Sequence, residues 1–137
     1  MIKFTANIVP HPAIRMTRGG KYTDPDAQRY LRYKAELGWL AKKHFRQWDE
    51  GPIVVNIAFY MPIMPSWTKK KQREALLGII RPTSIPDIDN LLKGVFDSLN
   101  KIAWKDDGQV VDCHVQSWYS DKPRVEIEVI PWRPDEL

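Results

Sequence analysis

Residues 86–112, PDIDNLLKGVFDSLNKIAWKDDGQVVD, constrain the fold of this chain more than any other segment. Stepping residues at about 100° around a helix that begins near Asp89 places Leu91, Leu92, Val95, Phe96, Leu99 and Ile102 within one arc of roughly 140°. Asp89, Lys93, Asp97 and Asn100 line the opposite side. A helix divided in this way has a core face and a chemical face. Pro86 disfavours helical dihedrals at the residue before it, so the helix starts just after it. That places Asp87 and Asp89 near the positive end of the helix dipole, where carboxylates stay ionised.

A second acidic pair, Asp106-Asp107, follows the end of this helix. Each feature has a plain structural reading. Asp87 or Asp89 caps the helix, Lys93 pairs with Asp89 or Asp97 at i,i+4 spacing, and Asp107-Gly108 makes a hairpin turn. Together these readings leave residues over. A cap needs one carboxylate, not two flanking an isoleucine, and an Asp-Gly turn does not need Asp106. So many oxygen-bearing side chains in one short stretch suit a hard divalent cation such as Mg²⁺.

Net charge is only +4, but its distribution is uneven. Residues 10–23 carry Arg15, Arg18 and Lys21 with no acid, and residues 66–81 carry Lys69, Lys70, Lys71, Arg73 and Arg81 against Glu74 alone. Residues 85–112 reverse this, with six aspartates against three lysines. Two basic segments bracket an acidic one, the pattern expected where phosphates must be drawn towards ligands that would otherwise repel them. Taken alone, the lysine run also fits a solvated helix face.

The runs PDIDNLLK, DSLN and DDGQV resemble the RusA-like family of Holliday junction resolvases, metal-dependent endonucleases of bacteria and their phages. The upstream SWTKKKQREAL is similar to family versions with a basic helix ahead of the catalytic segment, and VPHPAIRMTRGGKYTDP fits the N-terminal part. The resemblance implies that Asp87, Asp89 and Asp107 hold Mg²⁺, with Mn²⁺ as a substitute ion, and that Lys93 is the essential lysine. Asn90 matches the motif asparagine, and Asp97 and Asp106 are expected as outer partners of the site. Many relatives carry a basic residue directly before the Pro-Asp, where this chain has Ile85. The implied activity is paired, symmetric nicking of a four-way DNA junction by a homodimer, in recombination and repair. Arg15, Arg18, Lys21, Lys69, Lys70, Lys71 and Arg73 are the expected DNA contacts. Other branched substrates such as flaps and forks, or DNA binding without catalysis, are the competing readings.

The rest of the chain reads as one domain, residues 1–137, without repeats or linkers. Alternation predicts strands over 2–9, 109–119 and 124–130, with an apolar strand over 53–61. Helical spacing predicts a long helix from about Asp26 to Trp48 and a short basic helix near 68–77. In the strand at 109–119, Asp112, His114 and Gln116 should share one face, with Asp112 turned towards the metal site, and Val111, Cys113 and Val115 the other. Alternating outer strands imply a sheet covered on one face, hence an α+β fold of about four mixed strands with helices mainly on one side. The resemblance adds dimerisation, for which the 53–61 strand and the aromatic helix are the candidate surfaces.

Trp39 and Trp48 are expected to pack the long helix and Trp104 to anchor the turn before Asp106; Trp67, Trp132 and Tyr22 are candidate base-stacking groups. The lone Cys113 allows no internal disulfide, and the scattered histidines offer no zinc spacing. No stretch approaches membrane-spanning length and no signal peptide is evident, so a cytoplasmic bacterial protein, host or phage encoded, is expected.

Overall fold

A computed structural model describes residues 1–15, 19, 23–48, 50–84 and 86–134. Strand β1 (Ile2–Ala6) buries Phe4 and Ala6 and turns Lys3 and Thr5 outward, the period of two that a half-covered sheet requires. Strand β2 (Ile53–Pro62) buries Ile53, Val55, Ile57 and Phe59, and β4 (Arg124–Pro131) buries Val125, Ile127 and Val129. With β3 (Val110–Ser120) they form one sheet in the order β1-β4-β2-β3. The β2–β3 pair is parallel and the other pairs are antiparallel, so the sheet is mixed and the α+β expectation holds.

Helices α1 (Pro25–Lys42) and α3 (Ile88–Leu99) contribute to the same core as these inward strand residues. Helix α1 starts where the sequence allows, with Asp24 accepting from the Asp26 amide at 2.9 Å and Pro25 in the first turn. It ends at Lys42, six residues before the expected Trp48. Trp39 departs from expectation: it is 60% exposed, with the Lys43 ammonium 3.9 Å from its ring centre. Leu37 and Ala41 hold the inward face, and two residues on from Leu37 is about 200° around the helix. Helix α3 divides as the periodicity predicts. Leu91, Val95 and Leu99 are buried, Leu92 and Phe96 are half-buried, and Asp89, Lys93 and Asp97 are exposed.

Strand β2 lies between β4 and β3, so both its edges are paired and its apolar side is in the core. Its edges and its apolar side are therefore taken up within the chain, and its outer face, with Asn56 and Ala58, is the part left open. A register shift pairs Ile53 with Val110 but Val54 with Asp112. Val111 is thereby bulged and 57% exposed, not covered as strict alternation requires. Beyond the bulge, Asp112 lies 3.2 Å from His114, and both stand on the sheet face away from α3. Asp112 thus does not reach the start of α3. Cys113 stays half-buried, and burial, with Asp112 nearby, raises its thiol pKa and keeps it protonated.

The short helix α2 (Lys69–Leu76), between β2 and α3 in chain order, is capped by Thr68, which accepts from the Lys71 amide at 3.2 Å. Its approach is anchored to the end of β3 by an edge-to-face contact of Trp67 with Tyr119, centroids 5.1 Å apart. Among the described residues, no helix is long and apolar enough to cross a membrane.

Candidate active site

Asp87 occupies the N-cap position of α3, yet its side chain makes no capping hydrogen bond. Its Oδ1 instead accepts from Asn90 Nδ2 at 2.7 Å. The simple capping role is therefore not taken up, and the carboxylate is aimed by a neighbouring amide. Asp89 sits exposed in the first turn, and Lys93 follows one turn later. Among the described residues neither is ion-paired, so the i,i+4 bridge that would explain Lys93 structurally does not form. Asp97, another turn on, accepts from the Tyr30 hydroxyl at 2.9 Å and ties α3 to α1. Burial first, and Asp97 second, raise the Tyr30 pKa, so this phenol remains a donor.

Residues 11–15 of the N-terminal basic segment are docked against the same turn. The Ala13 amide donates to the Asn90 carbonyl at 3.0 Å, which brings the exposed Arg15 close to the start of α3. Gly94 makes this approach feasible: a Cβ there would meet the His11 carbonyl oxygen at 3.0 Å and Ala13 N at 3.6 Å. Gly94→Val should undock residues 11–15, at a cost of about 1–3 kcal/mol for the overpacking. A lower melting temperature and faster exchange of the Ala13 amide are the expected readouts; unchanged exchange would show that the segment is held elsewhere. Arg18 and Lys21, with Tyr22 and Ile85, lie outside the described residues.

A cleft of about 460 Å³ opens beside Asp87, lined also by Pro82, Thr83, Ser84, Ile88 and Ser117. A larger cavity of about 660 Å³ lies on the uncovered sheet face, where Glu126, Glu128 and His114 line it. Lys3 and Asn56 are engaged there by Glu128, at 3.5 and 3.0 Å. Two carboxylates on that surface make it a poor path for phosphates, whereas Lys69, Lys70, Lys71 and Arg73 on α2 are all exposed. Lys70 pairs loosely with Glu74 at 3.9 Å, and the Lys71 ammonium sits 4.2 Å from the Trp67 ring centre.

Asp107 is placed differently from what the sequence suggests. It does not begin a hairpin; Asp107–Gln109 is a 3-10 turn leading into β3. Gln109 holds this turn, its Oε1 accepting from the Lys105 and Asp106 amides at 2.9 and 3.1 Å while Nε2 donates to the Trp48 carbonyl at 3.0 Å. Trp104, fully buried, donates to Asn100 Oδ1 at 2.6 Å and packs edge-on against Phe96, anchoring the turn as expected. All of this lies at the C-terminal end of α3. Asp87 shares its cleft with Ser117, far along β3, so strand rise puts Asp107 about 20 Å from that cleft. The 12-residue helix gives a similar separation, about 18 Å.

Among the described residues, no three His, Cys, Asp or Glu side chains group closely enough to enclose a metal ion. The expectation that Asp87, Asp89 and Asp107 meet within one chain is therefore not met. Asp87 and Asp89 have the hard oxygen chemistry that Mg²⁺ prefers, but one chain supplies only part of a coordination shell. Sequence reasoning missed Gln109, whose spacing of three from Asp106 is a capping signature, and Trp118, whose surroundings depend on β3 lying at the sheet edge.

The chain matches the family described as "Endodeoxyribonuclease RusA" over residues 6–130. It is also similar to the uncharacterised protein YqaN of Bacillus subtilis (strain 168), 39% identical over 115 residues that cover 82% of this chain and 81% of the relative.

Proposed function

Because the chain belongs to the RusA endodeoxyribonuclease family, we propose that it is a Mg²⁺-dependent endodeoxyribonuclease that resolves four-way DNA junctions by paired nicks. The observation that carries this reading is the start of α3. Asp87 stands at a cap position without capping, Asn90 aims it, and Lys93 is left unpaired one turn away. A purely structural helix start would cap the helix with Asp87 and pair Lys93 with Asp89 or Asp97.

In this reading Asp87 and Asp89 of one subunit and Asp107 of a second subunit would hold the ion, since α3 keeps Asp107 of the same chain at its far end. When bound, the ion supplies polarisation of the scissile phosphate and acidification of an attacking water. Lys93 places an ammonium beside the phosphate and stabilises the extra negative charge that develops there. Asn90 fixes the orientation of Asp87, and Asp97 fixes the helix itself through Tyr30. Arg15 on the docked N-terminal segment and the α2 lysines draw the DNA backbone in. Products are a 5′-phosphate and a 3′-hydroxyl, which a ligase can seal. A C2 dimer suits a four-way junction, because it presents two equivalent sites to two strands related by symmetry.

The test is nicking of a synthetic mobile four-way junction against flaps, forks and linear duplex, with Mg²⁺ and with EDTA. Symmetric paired nicks confined to the four-way junction and dependent on Mg²⁺ are expected. Equal cutting of flaps and forks would make it a broader branched-DNA nuclease, and binding without any cutting would overturn the catalytic reading.

A further inference from the structure

Arg81 is an exposed arginine that the fold holds unusually firmly. Its guanidinium carbon lies 3.6 Å from the centre of the Trp118 ring, and Nε and Nη2 both donate to the Ser117 carbonyl at 3.1 Å. Trp118 is fixed in turn: its Nε1 donates to Gln116 Oε1 at 3.2 Å, and it packs so close to Gly78 that a Cβ there would lie 3.1 Å from the ring. Gly78 has φ +76°, a backbone conformation that leaves room for this contact and disfavours side chains. Most of the order in this arginine is therefore present before any ligand arrives.

The position of Arg81 connects it with the candidate site. It directly precedes Pro82, and Pro82 and its carbonyl partner residue Ser117 both line the cleft beside Asp87. Only two of the guanidinium's five N–H groups are used on Ser117. Among the described residues no acid pairs with it, unlike Arg124, which Glu126 engages at 3.2 Å. A planar cation with spare donors, held at the rim of the cleft that Asp87 lines, matches the geometry of a phosphodiester oxygen pair.

We propose that Arg81 clamps a backbone phosphate of the DNA strand that enters the cleft beside Asp87, using the Trp118 stack and the Ser117 carbonyl as its mount. This rests on the nuclease reading above. It assigns Arg81 as a positioning residue that contacts the substrate backbone away from the bond that breaks. The competing role is a staple that merely fastens the chain around Pro82 to the edge of β3.

Junction binding by the wild-type protein, Arg81→Gln and Arg81→Lys, measured in EDTA between 50 and 200 mM salt, separates the two roles. A phosphate clamp predicts that Arg81→Gln binds about three- to tenfold more weakly, with the slope of log K against log salt smaller by about 1. Arg81→Lys should keep the wild-type slope and regain part of the affinity, because charge persists without the fork. A staple predicts a lower melting temperature for both variants and an unchanged salt slope, which would overturn the proposal. If wild type binds and nicks junctions while Arg81→Gln matches it in slope and affinity, only this inference fails. If wild type neither binds nor nicks them, the functional reading fails and takes this inference with it.

Discussion

Asp87→Asn is expected to slow Mg²⁺-dependent nicking of a four-way junction by more than about 100-fold, the loss that even an outer partner of a metal ligand can cause. Junction binding should be unchanged or tighter. The substitution is nearly isosteric, and an asparagine oxygen at position 87 can still accept from Asn90 Nδ2, as Oδ1 now does at 2.7 Å. What disappears is a negative charge, and with it both affinity for a hard cation and repulsion of phosphate. Asp89→Asn should behave alike, since Asp89 is exposed in the same turn and among the described residues has no ion pair to lose. The measurement is single-turnover cleavage of a labelled junction beside electrophoretic binding in EDTA. Normal cutting by either variant, with Mg²⁺ at the same concentration, would remove Asp87 and Asp89 from the site.

Mixing two inactive variants should restore nicking. If Asp107 of one subunit completes the site of the other, Asp87→Asn and Asp107→Asn are each inactive alone. A heterodimer of the two then contains one site in which Asp87, Asp89 and Asp107 are all intact, and another in which two are changed. Co-expressed chains carrying different affinity tags, purified through both, should nick one strand of a junction without the paired second cut. Site formation within one chain predicts no activity in that mixture, since each chain then lacks one acid. The physical basis is the length of α3: 12 residues of helix hold its two ends about 18 Å apart, beyond the reach of aspartate side chains bound to one ion. A fully active Asp107→Asn homodimer would exclude Asp107 from catalysis altogether.

The two results test different parts of the site. The first concerns the chemistry at the start of α3, which depends on local sequence. The second concerns assembly, for which the exposed Trp39 face of α1 is a candidate surface.

The division between core face and chemical face of α3 was legible from periodicity, because a regular helix repeats every 3.6 residues whatever surrounds it. Strand alternation was legible for the same reason, as was the short basic helix near 68–77. Trp39 was misplaced because aromatic character outweighed its angular position relative to Leu37. Val111 was misplaced because a bulge is a property of two paired strands and alternation along one strand cannot register it.

By itself, then, the amino-acid order determined which elements form, the buried face of α3 and of the alternating strands β1 and β4, and that Asp87, Asn90 and Lys93 share a helix start. The tertiary structure alone decided that β3 begins beside the C-terminal end of α3, leaving Asp107 there, and that Ser117 and Arg81 arrive next to Asp87 instead. Periodicity reports the direction in which a side chain points. Which residues become neighbours depends on strand order and direction, and those are set by long-range pairing between β2 and β3.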